Sequence, residues 1–124
     1  MKLIRTVHRI ATWLVLAVGV IHTLGTFFFH GGLSEAAIWF AGAGLAGVFV
    51  AFLNIGLWQR ESPSLSGRLA SVANMLFIGW LAAGFAATPG PPQAVILAIG
   101  STMALSGLAL VWSGTGRGNG GDAT

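Results

Sequence analysis

Four stretches of this chain run for about 20 residues each without a single Asp, Glu, Lys or Arg. They are Ile10–Phe29, Ala36–Trp58, Leu69–Ala87 and Gln93–Trp112. A hydrocarbon core about 30 Å thick is crossed by about 20 residues of α-helix, at about 1.5 Å of rise per residue. The apolar runs are continuous rather than alternating. Lipid also requires the backbone to satisfy its own hydrogen bonds, so helices are expected and strands are not. The fold predicted is all-α: an integral membrane four-helix bundle, up-down-up-down. Composition agrees. Only 7% of the residues are charged, against about 25% in a typical soluble domain, too few to clothe a water-facing surface.

The segments between the runs read as connections. Gly31, Gly32, Leu33, Ser34 and Glu35 join the first pair, with Ser34 placed to cap the second helix. A polar stretch from Arg60 to Arg68, including Pro63, joins the second pair, and Pro89-Gly90-Pro91-Pro92 makes a turn before the fourth helix. The transmembrane unit is expected to cover residues 1–113. The Gly-rich, polar tail over 114–124 is expected to be disordered. Lys2, Arg5 and Arg9 resemble the start of a signal peptide. The run that follows is as long as a full span and is not followed by an A-x-A cleavage site, so it is expected to be retained as the first helix.

Charge sets the orientation. The six basic residues are Lys2, Arg5, Arg9, Arg60, Arg68 and Arg117, and all fall on one side of the predicted bundle. The positive-inside rule assigns that side, with both termini, to the cytoplasm. Trp13, Trp39, Trp58 and Trp112 lie near predicted helix ends, where indoles favour the headgroup region, whereas Trp80 lies near mid-span. A bacterial inner membrane is the expected location. The scattered basic residues form no dense patch, which argues against nucleic acid as a partner. Cysteine is absent, which excludes disulfides and thiolate chemistry.

Few polar side chains fall inside the spans, and they sort by depth. Asn54 lies about 6 Å from the cytoplasmic end of its helix and Asn74 about 9 Å from the same end of the next. Antiparallel neighbours would let the two amides bond to each other, most simply as a structural clamp. His22 lies about 20 Å in, past the midplane. Trp80, Ser101 and Thr102 are expected near that level, opposite the small residues Gly42, Ala43, Gly44, Ala46 and Gly47 of the second helix. An ionisable residue inside a membrane is a functional candidate, although a neutral histidine paired with Ser101 or Trp80 needs no function. His8 and His22 are separated by about 21 Å along the helix and about 40° around it, a spacing suited to two haem ligands. A second helix would have to supply the opposing histidines, and His30 lies on the same helix as the other two. His8, beside Arg5 and Arg9, is expected at the interface.

Three functional readings follow. The first is a small structural or accessory membrane protein, acting by helix packing as a subunit, assembly factor or scaffold. Its partners would be lipid, other membrane proteins or further copies of itself. The second is an oligomeric channel or carrier for a small solute, using Asn54, Asn74 and His22. The third is a haem- or pigment-binding subunit with His22 as ligand. The first expects no cofactor. An enzyme acting alone is the least favoured, because the sequence offers no nucleophile–base pair, metal cluster or phosphate loop.

Overall fold

The computed structural model describes residues 1–29, 31–32, 34–59 and 65–115. It contains four α-helices: α1 (Lys2–Phe29), α2 (Glu35–Gly56), α3 (Leu65–Ala87) and α4 (Pro91–Thr115). A single 3-10 turn, Leu57–Gln59, extends α2. The described residues contain no strand. All four helices are long and apolar enough to cross a membrane.

The helices outrun the apolar stretches. α1 begins at Lys2 rather than Ile10, and α3 at Leu65 rather than Leu69. Loss of apolar character does not break backbone hydrogen bonding. Lys, Arg, Leu and Ile are adequate helix formers, so the first turns continue beyond the lipid-sized segment. His30, expected at the outer end of the first helix, Leu33 of the expected first loop, residues 60–64 of the second, and residues 116–124 of the expected tail lie outside the described residues. So do Arg60 and Arg117.

The helix ends follow local chemistry. Ser34 is extended (φ −131°, ψ 163°) and its hydroxyl accepts the Ala37 N–H at 3.1 Å. Glu35 sits in the first turn of α2, where a carboxylate favours the helix dipole. Gly31, just past α1, takes φ +57°, a left-handed conformation that costs glycine nothing. α3 closes on Thr88, whose N–H and hydroxyl both bond to the Gly84 carbonyl. Pro91 then opens α4, at a position where its missing N–H has no helical acceptor to lose.

Each helix packs against its neighbours in chain order, and α4 returns to α1, so the four close into a ring. The α2–α3 contact is the least extensive of the four sides. Neighbours run in opposite directions. Along α1, Trp13 meets Trp58, Gly19 meets Gly44, and Gly25 approaches Phe40. Between α3 and α4, Gly67 meets Val111 and Phe77 meets Gly100.

Small side chains make most of the closest contacts between helices, Met103 and Phe77 are the large apolar residues of the core, and most of the other large apolar side chains face outward. The buried stripe of α1 includes His8, Ala11, Thr12, Val15 and Gly19, and that of α2 includes Gly44, Gly47, Val50, Ala51 and Asn54. Phe27, Phe28 and Phe29 are 78–85% exposed, and Trp39 and Trp112 are similarly open. Close approach explains the small residues. A Cβ on Gly19 would stand 2.8 Å from the Gly44 carbonyl oxygen, and one on Gly44 would stand 2.6 Å from that of Gly19 and collide with the Thr23 hydroxyl. The α1–α2 crossing is therefore a backbone-to-backbone contact, which only glycine permits.

Candidate functional site

The bundle has two levels of interest. One lies toward the end where α1 starts and α4 finishes, called here the terminal end. The other lies farther along α1, around His22.

At the first level, Asn54 on α2 and Asn74 on α3 are both fully buried and joined by two reciprocal amide bonds. Asn54 Nδ2 donates to Asn74 Oδ1 at 2.7 Å, and Asn74 Nδ2 donates to Asn54 Oδ1 at 3.0 Å. Asn54 Nδ2 also donates to the Val50 carbonyl at 2.8 Å. The pairing expected from depth is present. It falls on the least extensive side of the ring, where a polar clamp has most to hold.

His8 joins this level, which corrects its expected interfacial position. It is 0% exposed. Its Nδ1 lies 3.1 Å from the Met103 carbonyl oxygen and 3.2 Å from Ser106 Oγ, both on α4. A carbonyl only accepts, so Nδ1 carries the proton and donates. The neutral ring then presents a lone pair at Nε2, which is buried and has no hydrogen-bond partner among the described residues. Thr12, one turn along α1, returns its hydroxyl to the His8 carbonyl at 2.7 Å.

The histidine and the asparagine pair meet at Gly107 of α4. A Cβ there would lie 3.0 Å from His8 Cε1, 3.1 Å from Asn54 Oδ1 and 3.2 Å from Asn74 Nδ2. All four helices thus contribute to one buried polar cluster around a glycine. The basic neighbours Arg5 and Arg9 hide this in the sequence. The available signal is the stripe at positions 8, 11, 12, 15 and 19, which has the spacing of one helix face. Arg9 lies on another side of α1, with its guanidinium 5.6 Å from the centre of the Trp58 ring, a cation–π contact at the terminal end. Trp13 packs against the same indole.

At the second level, a cavity of about 100 Å³ lies among all four helices. His22, Gly47, Phe77 and Trp80 line it, and α4 contributes Ile96 and Ile99. The expected grouping of His22 with Trp80 is therefore present. Ser101 and Thr102 are not among its lining residues; Ser101, two positions past Ile99, turns to the far side of α4. Thr102 is exposed and returns its hydroxyl to the Ala98 carbonyl at 2.8 Å, which lets it face apolar surroundings. The His22 ring stacks on Phe40, with centroids 3.5 Å apart and planes at 20°. Phe77 and Trp80 stack at 6.2 Å across the opposite wall.

The glycines of α2 and α3 divide by direction. Gly44 and Gly47 face α1, whereas a Cβ on Gly42 or Gly79 would meet nothing within 4 Å. Gly42 and Gly79 therefore lie on open faces.

Comparison with protein-family models, with curated proteins and with solved structures finds no match to this chain.

Proposed function

We propose that this chain is a multi-pass integral membrane protein of structural or accessory type. In this reading it acts by helix packing, as a subunit, assembly factor or scaffold of a membrane complex. The helices cross the bilayer up-down-up-down with both termini in the cytoplasm, and the host membrane is a bacterial inner membrane.

The observation that carries the proposal is the inverted distribution of side-chain size and polarity. The polar groups of the terminal-end cluster turn inward onto one another, and glycine and alanine fill the contacts between helices. Leu, Ile, Phe and Trp cover the outside. Lipid tails solvate such a surface at no cost, and small residues at helix contacts are how membrane helices associate. Orientation rests on charge. Lys2, Arg5, Arg9 and Arg68 all lie at the terminal end, and Glu35 stands at the other.

The accessory reading is preferred to a carrier because Asn54 and Asn74 are spent on each other. It is preferred to a haem or pigment subunit because the cavity beside His22, about 100 Å³, is smaller than the cavity of about 150 Å³ that accepts benzene. A macrocycle needs far more room.

Purification in mild detergent, with mass and visible spectrum recorded, tests the proposal. Co-purification with a stoichiometric membrane partner, and no visible band, is the expected result. A Soret or chlorin band would transfer the assignment to the pigment reading. A colourless homo-oligomer that passes a small solute across liposomes would transfer it to the carrier reading.

A further inference from the structure

We infer that the exposed flank at the start of α1 is a binding site for the phosphodiester headgroup of an anionic phospholipid. The inference deepens the membrane reading proposed above and rests on it. Lys2, Arg5, Arg9 and Trp13 follow one another at intervals of three, four and four residues. At about 100° per residue they fall within about 80° of one helix face. All four side chains are exposed. The buried stripe that carries His8 lies elsewhere on α1, so these residues take no part in the polar cluster. The turn that follows α2 closes the inner end of the flank. Arg9 stands over the Trp58 ring at 5.6 Å, and Trp13 packs on the same indole at 6.1 Å.

Depth assigns the ligand. Arg9 adjoins Ile10, where the lipid-sized apolar stretch begins. Arg5 lies about 8 Å and Lys2 about 12 Å outside that boundary at the helical rise. The headgroup layer on each side of a bilayer is about 5–8 Å thick. Arg9 and Arg5 therefore stand at the level of lipid phosphates, with Lys2 just beyond them and the paired indoles just beneath. The positive charge is not compensated from within. Glu35 is the only acidic residue among those described, and it lies at the opposite end of the bundle. The contact with Trp58 positions the Arg9 guanidinium without supplying an oxygen acceptor, so its N–H donors remain for a ligand. A phosphodiester brings both the opposite charge and acceptors in a geometry that a guanidinium matches. Basic residues beside a membrane attract anionic lipid in this way. A zwitterionic headgroup carries an ammonium beside its phosphate and gains less from the three cations. The site lies along the side of the helix and makes no use of its free N-terminal amides.

The test uses the full chain in mild detergent. Phosphatidylglycerol and phosphatidylcholine of the same acyl chains are the probes, and native mass spectrometry counts the bound lipid. Phosphatidylglycerol should bind at one per chain, and at least about fivefold more tightly than phosphatidylcholine. Arg9→Gln should weaken its binding about fivefold, the worth of one basic residue near an anionic surface, and Arg5→Gln by a similar factor. Arg68→Gln removes the same charge at the same end, on α3 across the ring from α1. It should change binding by less than about twofold, because screening confines the attraction to about 10 Å. Circular dichroism and elution volume establish that each variant is folded. If Arg9→Gln does not fold, Arg5→Gln and Arg68→Gln carry the test between them. Equal binding of the two lipids would overturn the site. So would an equal loss at Arg9 and Arg68, since net charge alone would then explain the binding. Displacement of the lipid by glycerol 3-phosphate at equal concentration would overturn the lipid assignment. Failure on any of these counts leaves the membrane reading intact, because fractionation and topology measure that separately.

Discussion

Asn54 and Asn74 illustrate how a buried amide is made tolerable in this interior. Each donates to the other's carbonyl oxygen, so removing Asn74 leaves Asn54 Oδ1 buried without its donor, while Asn54 Nδ2 keeps the Val50 carbonyl. Asn74→Leu should therefore destabilise by about 1–3 kcal/mol. The coupling measured by a double-mutant cycle with Asn54→Leu should be smaller, about 0.6 kcal/mol or somewhat more, as is usual between membrane helices. Unfolding of the four proteins in detergent gives both numbers, and a coupling of zero would mean the pair does not hold α2 to α3. Gly107 offers a sharper test, because a ring carbon of His8 and two amide atoms of the asparagine pair crowd the place where its Cβ would stand. Gly107→Val should cost about 1–3 kcal/mol through overpacking. Gly79→Ala, with open space around it, should change stability by no more than about 0.5 kcal/mol. Equal effects at the two glycines would contradict the cluster. The asparagine pair was legible in advance because both residues sit at one depth. His8 was not, because its neighbours in sequence are cationic while its neighbours in space are Met103 and Ser106. Depth along a helix can be counted from sequence, but the direction around it cannot when polar and apolar residues share the turn.

Among the elements, the α1–α2 crossing is the least forgiving. Its contact is made by backbone, with the Gly44 position facing the Gly19 carbonyl and the Thr23 amide. A methyl there cannot be accommodated by a side-chain rotation, and the helices must separate. Gly44→Ala should lower the unfolding midpoint more than Gly47→Ala, whose Cβ would make ordinary contacts at 3.6–3.9 Å. Thermal unfolding of the two variants in one detergent decides this, and the reverse order would place the crossing elsewhere. The small-residue content of α2 was visible in sequence. Which glycines serve this contact was not, since Gly42 and Gly44 are two positions apart and face different directions. Only the partner helix separates the packing glycine from the open one.

For the molecule as a whole, the testable quantity is orientation. The chain has no cysteine, so one introduced thiol is a unique reporter. Gly31→Cys, between α1 and α2, should react with an impermeant maleimide added to intact cells. Ser113→Cys, near the end of α4, should react only after the membrane is opened. The opposite pattern would overturn the orientation drawn from Lys2, Arg5, Arg9 and Arg68. Equal reactivity of both before opening would place the chain outside any sealed bilayer.

The number of helices, their antiparallel order and the depth of each polar residue are properties of the sequence by itself. They depend on local composition and on a rise of about 1.5 Å per residue, and neither needs a partner. The tertiary structure decided which sides meet. It turned His8 inward to a carbonyl 95 positions away along the chain and gathered it with Asn54 and Asn74 around Gly107. It also set Ile96 and Ile99, rather than Ser101 and Thr102, against the His22 cavity. Those choices are made by contacts between distant segments, where backbone approach at a few glycines sets the rotation of each helix about its own axis.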